Sequence, residues 1–243
     1  MDFEAQAMIE ANELSSEQFE SFLDKVETIP AARSPITGRQ ARLFFEFMED
    51  TGSRVTEGLH VRKKDIDFNT HILTVIYPKS EKSCKCSRWK YKDQYTRQRV
   101  LEYADPKCEY CHGKGKWKKP QKTTFTNRIY HELYQYCQEL KPDDLLWPTT
   151  RQSIWNWGKK AGYLAGINIF QQKEEQLIKG IFPHLFRAIC SKRTTADAAT
   201  DKYKDALVQL KMRHSYKVVT DRYTKITINY LITFESKTYP AAL

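Results

Sequence analysis

Apolar residues recur at helical spacing over most of the chain, and this periodicity constrains the fold more than any other feature. Leu43, Phe44, Phe47 and Met48 share one face of a segment at about residues 39–50. Gly52 follows where a C-cap glycine is expected. The same spacing predicts four further helices, at about residues 15–29, 127–140, 151–165 and 184–199.

Two segments have a β-like pattern. The run at residues 72–77 is rich in β-branched residues, ends at Pro78 and predicts a strand that enters a turn at residues 79–82. Near the C-terminus, apolar and mostly polar residues alternate from Ile226 to Phe234, and this period of two predicts a strand that pairs with a sheet edge in cis or in trans. The expected fold is mainly α with a small antiparallel sheet (α+β), as a single domain over residues 1–243.

The charge of the chain is positive and unevenly distributed. The net charge is +10, and the segment from Lys79 to Arg128 holds 15 basic and 5 acidic residues, which leaves the remainder balanced. Such a block suits a phosphate-backbone surface, although a charge run is more often only a solvated face. No apolar run approaches the ~18 residues of a membrane span, and the acidic N-terminus is unlike a secretory signal. A soluble protein of the cytoplasm or nucleoid, with reduced cysteines, is expected.

Several short motifs follow one another along the chain. Residues 51–59 read Thr-Gly-Ser-Arg-Val-Thr-Glu-Gly-Leu, so that Arg54 follows a Thr-Gly turn and Glu57 lies three residues on. Residues 183–187 contain a His-x-x-Arg motif formed by His184 and Arg187. Residues 212–215 read Met-Arg-His-Ser, and Tyr223 lies nine residues after His214.

In order and spacing these motifs resemble those of the tyrosine recombinases of the phage-integrase type, over roughly residues 14–233. One departure is Arg213, which replaces the glycine that usually precedes the histidine of the third motif. The resemblance implies the catalytic-domain fold of that family. Relatives normally carry a helical DNA-clamping domain ahead of the catalytic one, and the residues before Leu14 are too few to form it. The chain is therefore expected to be either a fragment or a naturally short form.

The chemistry of DNA cleavage explains these residue types. Attack on a phosphodiester concentrates negative charge on the non-bridging oxygens, which preorganised cations stabilise. Arg54 and Arg187 suit this role because a guanidinium stays charged and grips two oxygens. His184 and His214 can donate hydrogen bonds to the same oxygens or move protons. As isolated residues, all four would be read as ordinary surface or structural side chains.

The resemblance implies a role for each remaining residue. Tyr223 is expected to be the nucleophile that forms a 3′-phosphotyrosine, with Tyr216 and Tyr230 as the neighbouring tyrosines that could be mistaken for it. Lys79 is expected to protonate the departing 5′-oxygen, with Lys82 as the alternative. Glu57 would hold the site without touching phosphate. A phosphotyrosine keeps roughly the energy of the phosphodiester, so no ATP or other cofactor is expected for the chemistry.

A cysteine-bearing basic insertion at residues 83–122 departs from the family pattern. Two close pairs, Cys84 with Cys86 and Cys108 with Cys111, can supply four sulfurs to one structural zinc ion. The second pair also resembles the Cys-x-x-Cys-x-Gly-x-Gly knuckle of the DnaJ zinc domain. A redox pair and free thiols remain open, as does His112 in place of one sulfur. The other two cysteines, Cys137 and Cys190, fall on apolar helical faces and are expected in the core.

The insertion is also a candidate DNA contact, which would partly substitute for the clamping domain. Its candidate backbone-binding residues are Lys82, Lys114, Lys116, Lys118 and Lys119. The expected partner is double-stranded DNA, bound by a tetramer on paired sites, with no membrane partner. Two other classes stay open: a type IB topoisomerase, which relaxes supercoils as a monomer, and a non-catalytic zinc-containing DNA- or RNA-binding protein.

Overall fold

The structure is a computed structural model that describes residues 14–31, 34–76, 82–91, 99–117, 120–167, 170–173, 176–179, 183–213 and 228–240. Its helices are α1 (Ser16–Thr28), α2 (Gly38–Thr51), α3 (Val55–Gly58), α4 (Asn127–Gln138), α5 (Arg151–Leu164), α6 (Pro183–Asp197), α7 (Lys204–Met212) and α8 (Ile228–Thr238). Its strands are β1 (Ile66–Asp67), β2 (Ile72–Val75), β3 (Lys82–Ser83), β4 (Ser87–Tyr91), β5 (Arg99–Ala104), β6 (Lys116–Trp117), β7 (Gln121–Thr124), β8 (Phe170–Lys173) and β9 (Gln176–Lys179). Mainly helical structure with small antiparallel sheets confirms the predicted fold class.

Local sequence signals explain where the first two helices begin and end. Ser15 caps α1 and Thr37 caps α2, each in a reciprocal capping box with the glutamine three residues on. Helix α2 ends at Gly52, which has φ +60°. The positive φ favours glycine, and a Cβ at Gly52 would lie 2.5 Å from the terminal methyl of Met212 and displace the end of that side chain. The predicted C-cap is confirmed, and it delivers the chain to Arg54.

An aromatic core holds the helices together. Phe22 on α1 makes an edge contact with Phe45 on α2, and both rings pack against Phe186 on α6. On another face of α2, Phe44 packs edge-on against Trp147, and both side chains are fully buried. Because α2 and α6 share this core, the residues at the end of α2 are held beside the first turns of α6.

The strands form a small sheet and separate two-stranded pairs. Strand β2 lies between β1 and β7 in antiparallel register, with Val75 opposite Gln121. The cysteine-bearing insertion lies between β2 and β7 and contributes two further pairs, β3 with β6 and β4 with β5. The predicted strand at residues 72–77 is therefore confirmed over residues 72–75 as β2, while Tyr77 lies outside the described residues. Within the described residues, no helix is long and apolar enough to cross a membrane.

The C-terminal segment is helical, so the predicted strand at residues 226–234 is wrong over its described part. Helix α8 buries Leu231 and Glu235, which lie four residues apart on one face. Leu231 packs with Ala198 and Leu207, while Phe234 covers the same cluster from the side. The alternation placed Leu231 on the outward face; docking on this cluster outweighs the β-propensity of the neighbouring isoleucines and threonines.

Candidate active site

The site is built on the turn that joins α2 to α3. Arg54 is the N-cap residue of α3, and its side chain is partly exposed. Its backbone N–H donates to Glu57 Oε2 at 2.9 Å, and its guanidinium donates to Glu57 Oε1 at 2.6 Å. One carboxylate thus fixes both the backbone and the side chain of Arg54, while leaving part of the guanidinium open to solvent.

Arg187 reaches the same turn from α6. It is buried and donates hydrogen bonds to the carbonyl oxygens of Gly52 and Met212. Burial, together with the nearby charges of Arg213 and Arg54, lowers the pKa of Arg187 to about 10, which leaves it charged at neutral pH. The structure therefore brings together Arg54, Glu57 and Arg187, three predicted site residues from two separate motifs.

A third guanidinium, that of Arg213, completes this cluster. It donates to Glu57 Oε2 at 2.7 Å and to the carbonyl oxygens of Thr51 and Gly52 at 3.2 and 3.3 Å. Burial alone would raise the pKa of Glu57, but Arg213 and Arg54 outweigh it and lower the pKa. The sequence marked Arg213 only as a departure from the family pattern, and its contact with Glu57, 156 residues away, has no local signal.

The remaining predicted catalytic residues are described only in part. His184 lies in the first turn of α6, and Lys82 begins β3; their side chains lie outside the described residues. Four further residues named in the sequence analysis also lie outside the described residues: Lys79, His214, Tyr216 and Tyr223. Tyr230, the other neighbouring tyrosine, lies on α8, where its hydroxyl donates to Asp201 Oδ2 at 3.0 Å.

A buried ion-pair network lies next to the site, and the sequence analysis did not predict it. Arg193, two turns after Arg187 on α6, pairs with Glu49 and Asp50 at the end of α2. Asp50 also accepts hydrogen bonds from the backbone N–H and the hydroxyl of Thr126 at 2.7 and 2.6 Å. Burial would raise the pKa of Asp50, but Lys211 and Arg193 lower it. These ion pairs and hydrogen bonds connect α2 with α4 and α6, next to the α2–α3 turn.

The four cysteines of the insertion form a second cluster, a candidate metal centre. The sulfurs of Cys84, Cys86, Cys108 and Cys111 lie within 4.8 Å of one another. Two of the sulfur–sulfur distances are 3.6 and 3.4 Å, close to the ~3.8 Å edge of a tetrahedron with Zn–S bonds of about 2.3 Å. A disulfide would need about 2.05 Å. His112 is exposed and is not part of this cluster.

Backbone geometry around the second cysteine pair suits a thiolate. Hydrogen bonds from the backbone N–H groups of Cys111 and Tyr110 lower the pKa of Cys108 to about 7. At Cys86, burial and contacts with the neighbouring thiols raise the pKa to about 12. Gly113 and Gly115 have φ of +80° and +68°, which permits the tight turn behind the pair. Cys137 and Cys190 are fully buried, as predicted.

The predicted DNA-backbone lysines lie on or near this insertion. Lys114 and Lys116 are exposed, and the Lys116 ammonium lies 4.9 Å from the centroid of the Trp89 ring. Lys118 and Lys119, which were also predicted to contact the DNA backbone, lie outside the described residues. The insertion therefore presents cations to solvent beside its four sulfurs.

A sequence model of the phage integrase family matches residues 12–229. This chain belongs to the phage integrase family. No curated protein matches it significantly. Similar solved structures include the Tn1549 transposon integrase in complex with a circular intermediate DNA, with 14% identity and a TM-score of 0.49 over 95% of this chain and 62% of that one. The catalytic domain of bacteriophage HP1 integrase is 14% identical, with a TM-score of 0.46 over 95% of this chain and 98% of that one.

The structure of the XerH site-specific recombinase bound to its difH substrate is also similar to that of this chain. It is 16% identical, with a TM-score of 0.47 over 88% of this chain and 50% of that one. The chain thus spans about 62% of the Tn1549 integrase chain in that structure, which is itself a part of the integrase, and half of the XerH chain.

Proposed function

We propose that this chain is the catalytic domain of a site-specific DNA recombinase that cleaves and rejoins DNA without ATP. The observation that carries the proposal is the meeting of Arg54 and Arg187, from two motifs far apart in sequence, on one turn braced by Glu57. Two fixed guanidiniums at one place suit the two non-bridging oxygens of a phosphodiester. Membership of the phage integrase family supports the same activity.

In the proposed reaction, Tyr223 gives its phenolic proton to a neighbouring base such as His184 or His214, and its oxygen attacks the scissile phosphorus while the bond to the 5′-oxygen breaks. Lys79 gives a proton to the departing oxygen, with Lys82 as the alternative acid, and the products are a 3′-phosphotyrosine and a free 5′-hydroxyl. His184 and His214 hydrogen-bond the phosphate or move protons beside the arginines. Attack by the 5′-hydroxyl of a second duplex restores tyrosine and joins the strands, so the enzyme acts as a tetramer on paired double-stranded sites.

The test is covalent trapping on a nicked suicide DNA substrate, which loses its 5′-hydroxyl after cleavage. We expect wild-type protein to form an adduct that maps to Tyr223, and Tyr223→Phe to form none while keeping its DNA affinity within about twofold, because one hydroxyl adds little binding energy. Tyr230→Phe is the matched control and should still form the adduct. Mapping to Tyr216 or Tyr230 would refute the assignment. Supercoil relaxation without strand exchange would indicate a topoisomerase instead.

We further propose that Cys84, Cys86, Cys108 and Cys111 bind one structural zinc ion. The sulfur spacing fits a tetrahedral S₄ shell, and a closed shell leaves no position for water or substrate, so the metal would order the insertion without joining the chemistry. Metal analysis should find about one zinc per chain, lost in Cys84→Ser/Cys111→Ser and kept in Cys137→Ala. Metal-free protein with four titratable thiols at these positions would contradict the proposal.

A further inference from the structure

Arg213 occupies a backbone position that an arginine rarely adopts. It ends α7 in the left-handed region, with φ +52° and ψ +39°, where glycine is the unstrained residue. Its side chain is only 2% exposed, so it also carries a charge out of water. A strained conformation of this kind persists only where contacts with the surrounding residues stabilise it.

Those contacts join the two arginines of the proposed phosphate site. Glu57 Oε2 accepts from Arg213, while Oε1 of the same carboxylate accepts from the Arg54 guanidinium. The carbonyl oxygen of Gly52 accepts from both Arg213 and Arg187. One buried guanidinium therefore shares an acceptor with each of the two arginines, although its own exposure is too small for contact with DNA.

Arg213 changes the number of positive charges that share the Glu57 carboxylate. Without Arg213, the Glu57 carboxylate would face Arg54 alone, as a close one-to-one ion pair that cancels much of the positive charge offered to a phosphate. With Arg213, one carboxylate is divided between two guanidiniums, and together with Arg187 three guanidiniums instead of two share that single negative charge. Arg213 also donates to Glu57 Oε2 beside the Arg54 backbone N–H, which holds the carboxylate in the orientation that pairs Oε1 with the Arg54 guanidinium.

We propose that Arg213 is a positioning residue for DNA cleavage, which fixes Arg54 through Glu57 and Arg187 through the Gly52 carbonyl. This rests on the proposed recombinase function. It assigns to Arg213 a role that a glycine at the same position cannot perform, and it explains why a strained backbone conformation is kept in this chain. Arg213 itself touches no reacting atom.

The test compares single-turnover cleavage at saturating DNA, corrected for the active fraction by adduct titration. Arg213→Gly suits the left-handed backbone and removes the whole side chain with its guanidinium. We expect its rate constant to fall by on the order of 10- to 100-fold, with DNA affinity changed less than about threefold. Arg213→Lys should recover part of the rate, because it keeps the charge but not the fork. The matched control is Arg42→Lys, an ion-paired arginine of α2 that contacts Asp24 and Glu46 and touches neither Glu57 nor Gly52, and its rate constant should stay within about twofold of wild type.

A double-mutant cycle and a measurement without chemistry separate positioning from stability. Arg213→Gly and Glu57→Gln together should slow cleavage much less than the product of their single effects, since both act through one contact. In ¹⁵N NMR, the guanidinium of Arg54 should become more mobile in Arg213→Gly and stay ordered in Arg42→Lys. Unchanged Arg54 mobility, or a wild-type rate constant per active molecule in Arg213→Gly, would overturn the proposal. Failure of wild-type protein to form any Tyr223 adduct would instead overturn the proposed function.

Discussion

Glu57 accepts three hydrogen bonds although its side chain is only 1% exposed. Removing one partner of a buried charge pair leaves the other uncompensated, which typically costs ~3–5 kcal/mol. We therefore expect Glu57→Gln to lower the free energy of unfolding at pH 7 by about that amount, as measured by urea denaturation. Glu132→Gln is the control: it breaks only the exposed pair with Arg39 and should cost less than ~1 kcal/mol.

The pH dependence of this residue has a definite sign. Because the folded state lowers the pKa of Glu57, its contribution is complete above the ordinary glutamate pKa of about 4.3 and is lost as the pH falls through the lower folded value. The stability gap between wild type and Glu57→Gln should thus be constant from pH 8 to about pH 5 and narrow only below about pH 4. A gap that closes between pH 5 and 7 would contradict the ionised, paired state of Glu57.

At the scale of elements, helix α8 shows both what the sequence predicts and where it fails. Its isoleucines, tyrosine and phenylalanine alternate, but the same residues also suit a helical face through Ile228, Leu231 and Phe234. Besides the apolar cluster, a polar contact between residues distant in sequence holds this helix: Lys211, with no exposed side-chain surface, donates to Glu235 Oε1 at 2.5 Å. Because glutamate is usually exposed, a hydrophobicity pattern assigns Glu235 to the surface. The sequence alone therefore could not reveal that burial of Glu235 favours a helix here.

The same ion pair predicts how α8 is held. Lys211 also donates to the Thr124 carbonyl oxygen and hydroxyl, which keeps its charge solvated in the interior. Glu235→Gln would leave that ammonium without its counter-ion, at a cost of ~3 kcal/mol, or on the order of 100-fold faster hydrogen exchange in α8. Lys237→Gln removes an exposed charge from the same helix and should leave exchange unchanged. Equal protection of α8 in both variants would show that the helix does not depend on this pair.

At the scale of the whole molecule, the cysteine-bearing insertion and the catalytic core meet through β7. Thr123 on β7 donates to the Lys211 carbonyl oxygen at 3.2 Å, and the neighbouring Thr124 accepts from the Lys211 ammonium. The sequence predicted the cysteine ligands and the arginine motifs, because their spacing is local. The sequence could not predict that β7, the strand that follows the insertion, also contacts Lys211 next to the α2–α3 turn. That contact joins residues 88 positions apart.

This connection shapes what metal removal should do. Chelation is expected to unfold the insertion, because its described residues form two strand pairs but contribute to neither hydrophobic core cluster, while β7 stays held by β2 and Lys211. Exposed Lys114 and Lys116 would then lose their fixed positions, and DNA binding should weaken. Each lost phosphate contact flattens the slope of log affinity against log salt by ~0.9, so a change of about 2 is expected for the pair. Cleavage at saturating DNA should change little.

The matched variants separate this effect from general damage. Lys114→Ala/Lys116→Ala should flatten the salt slope as chelation does, and chelation of that double variant should flatten it little further, because the same contacts are already gone. Lys25→Ala/Lys237→Ala removes two exposed charges elsewhere and should keep the wild-type slope. A salt slope unaffected by chelation would mean that the insertion makes no phosphate contacts. Loss of cleavage at saturating DNA in parallel with the metal would instead place the insertion within the catalytic machinery, contrary to a purely structural role for the zinc.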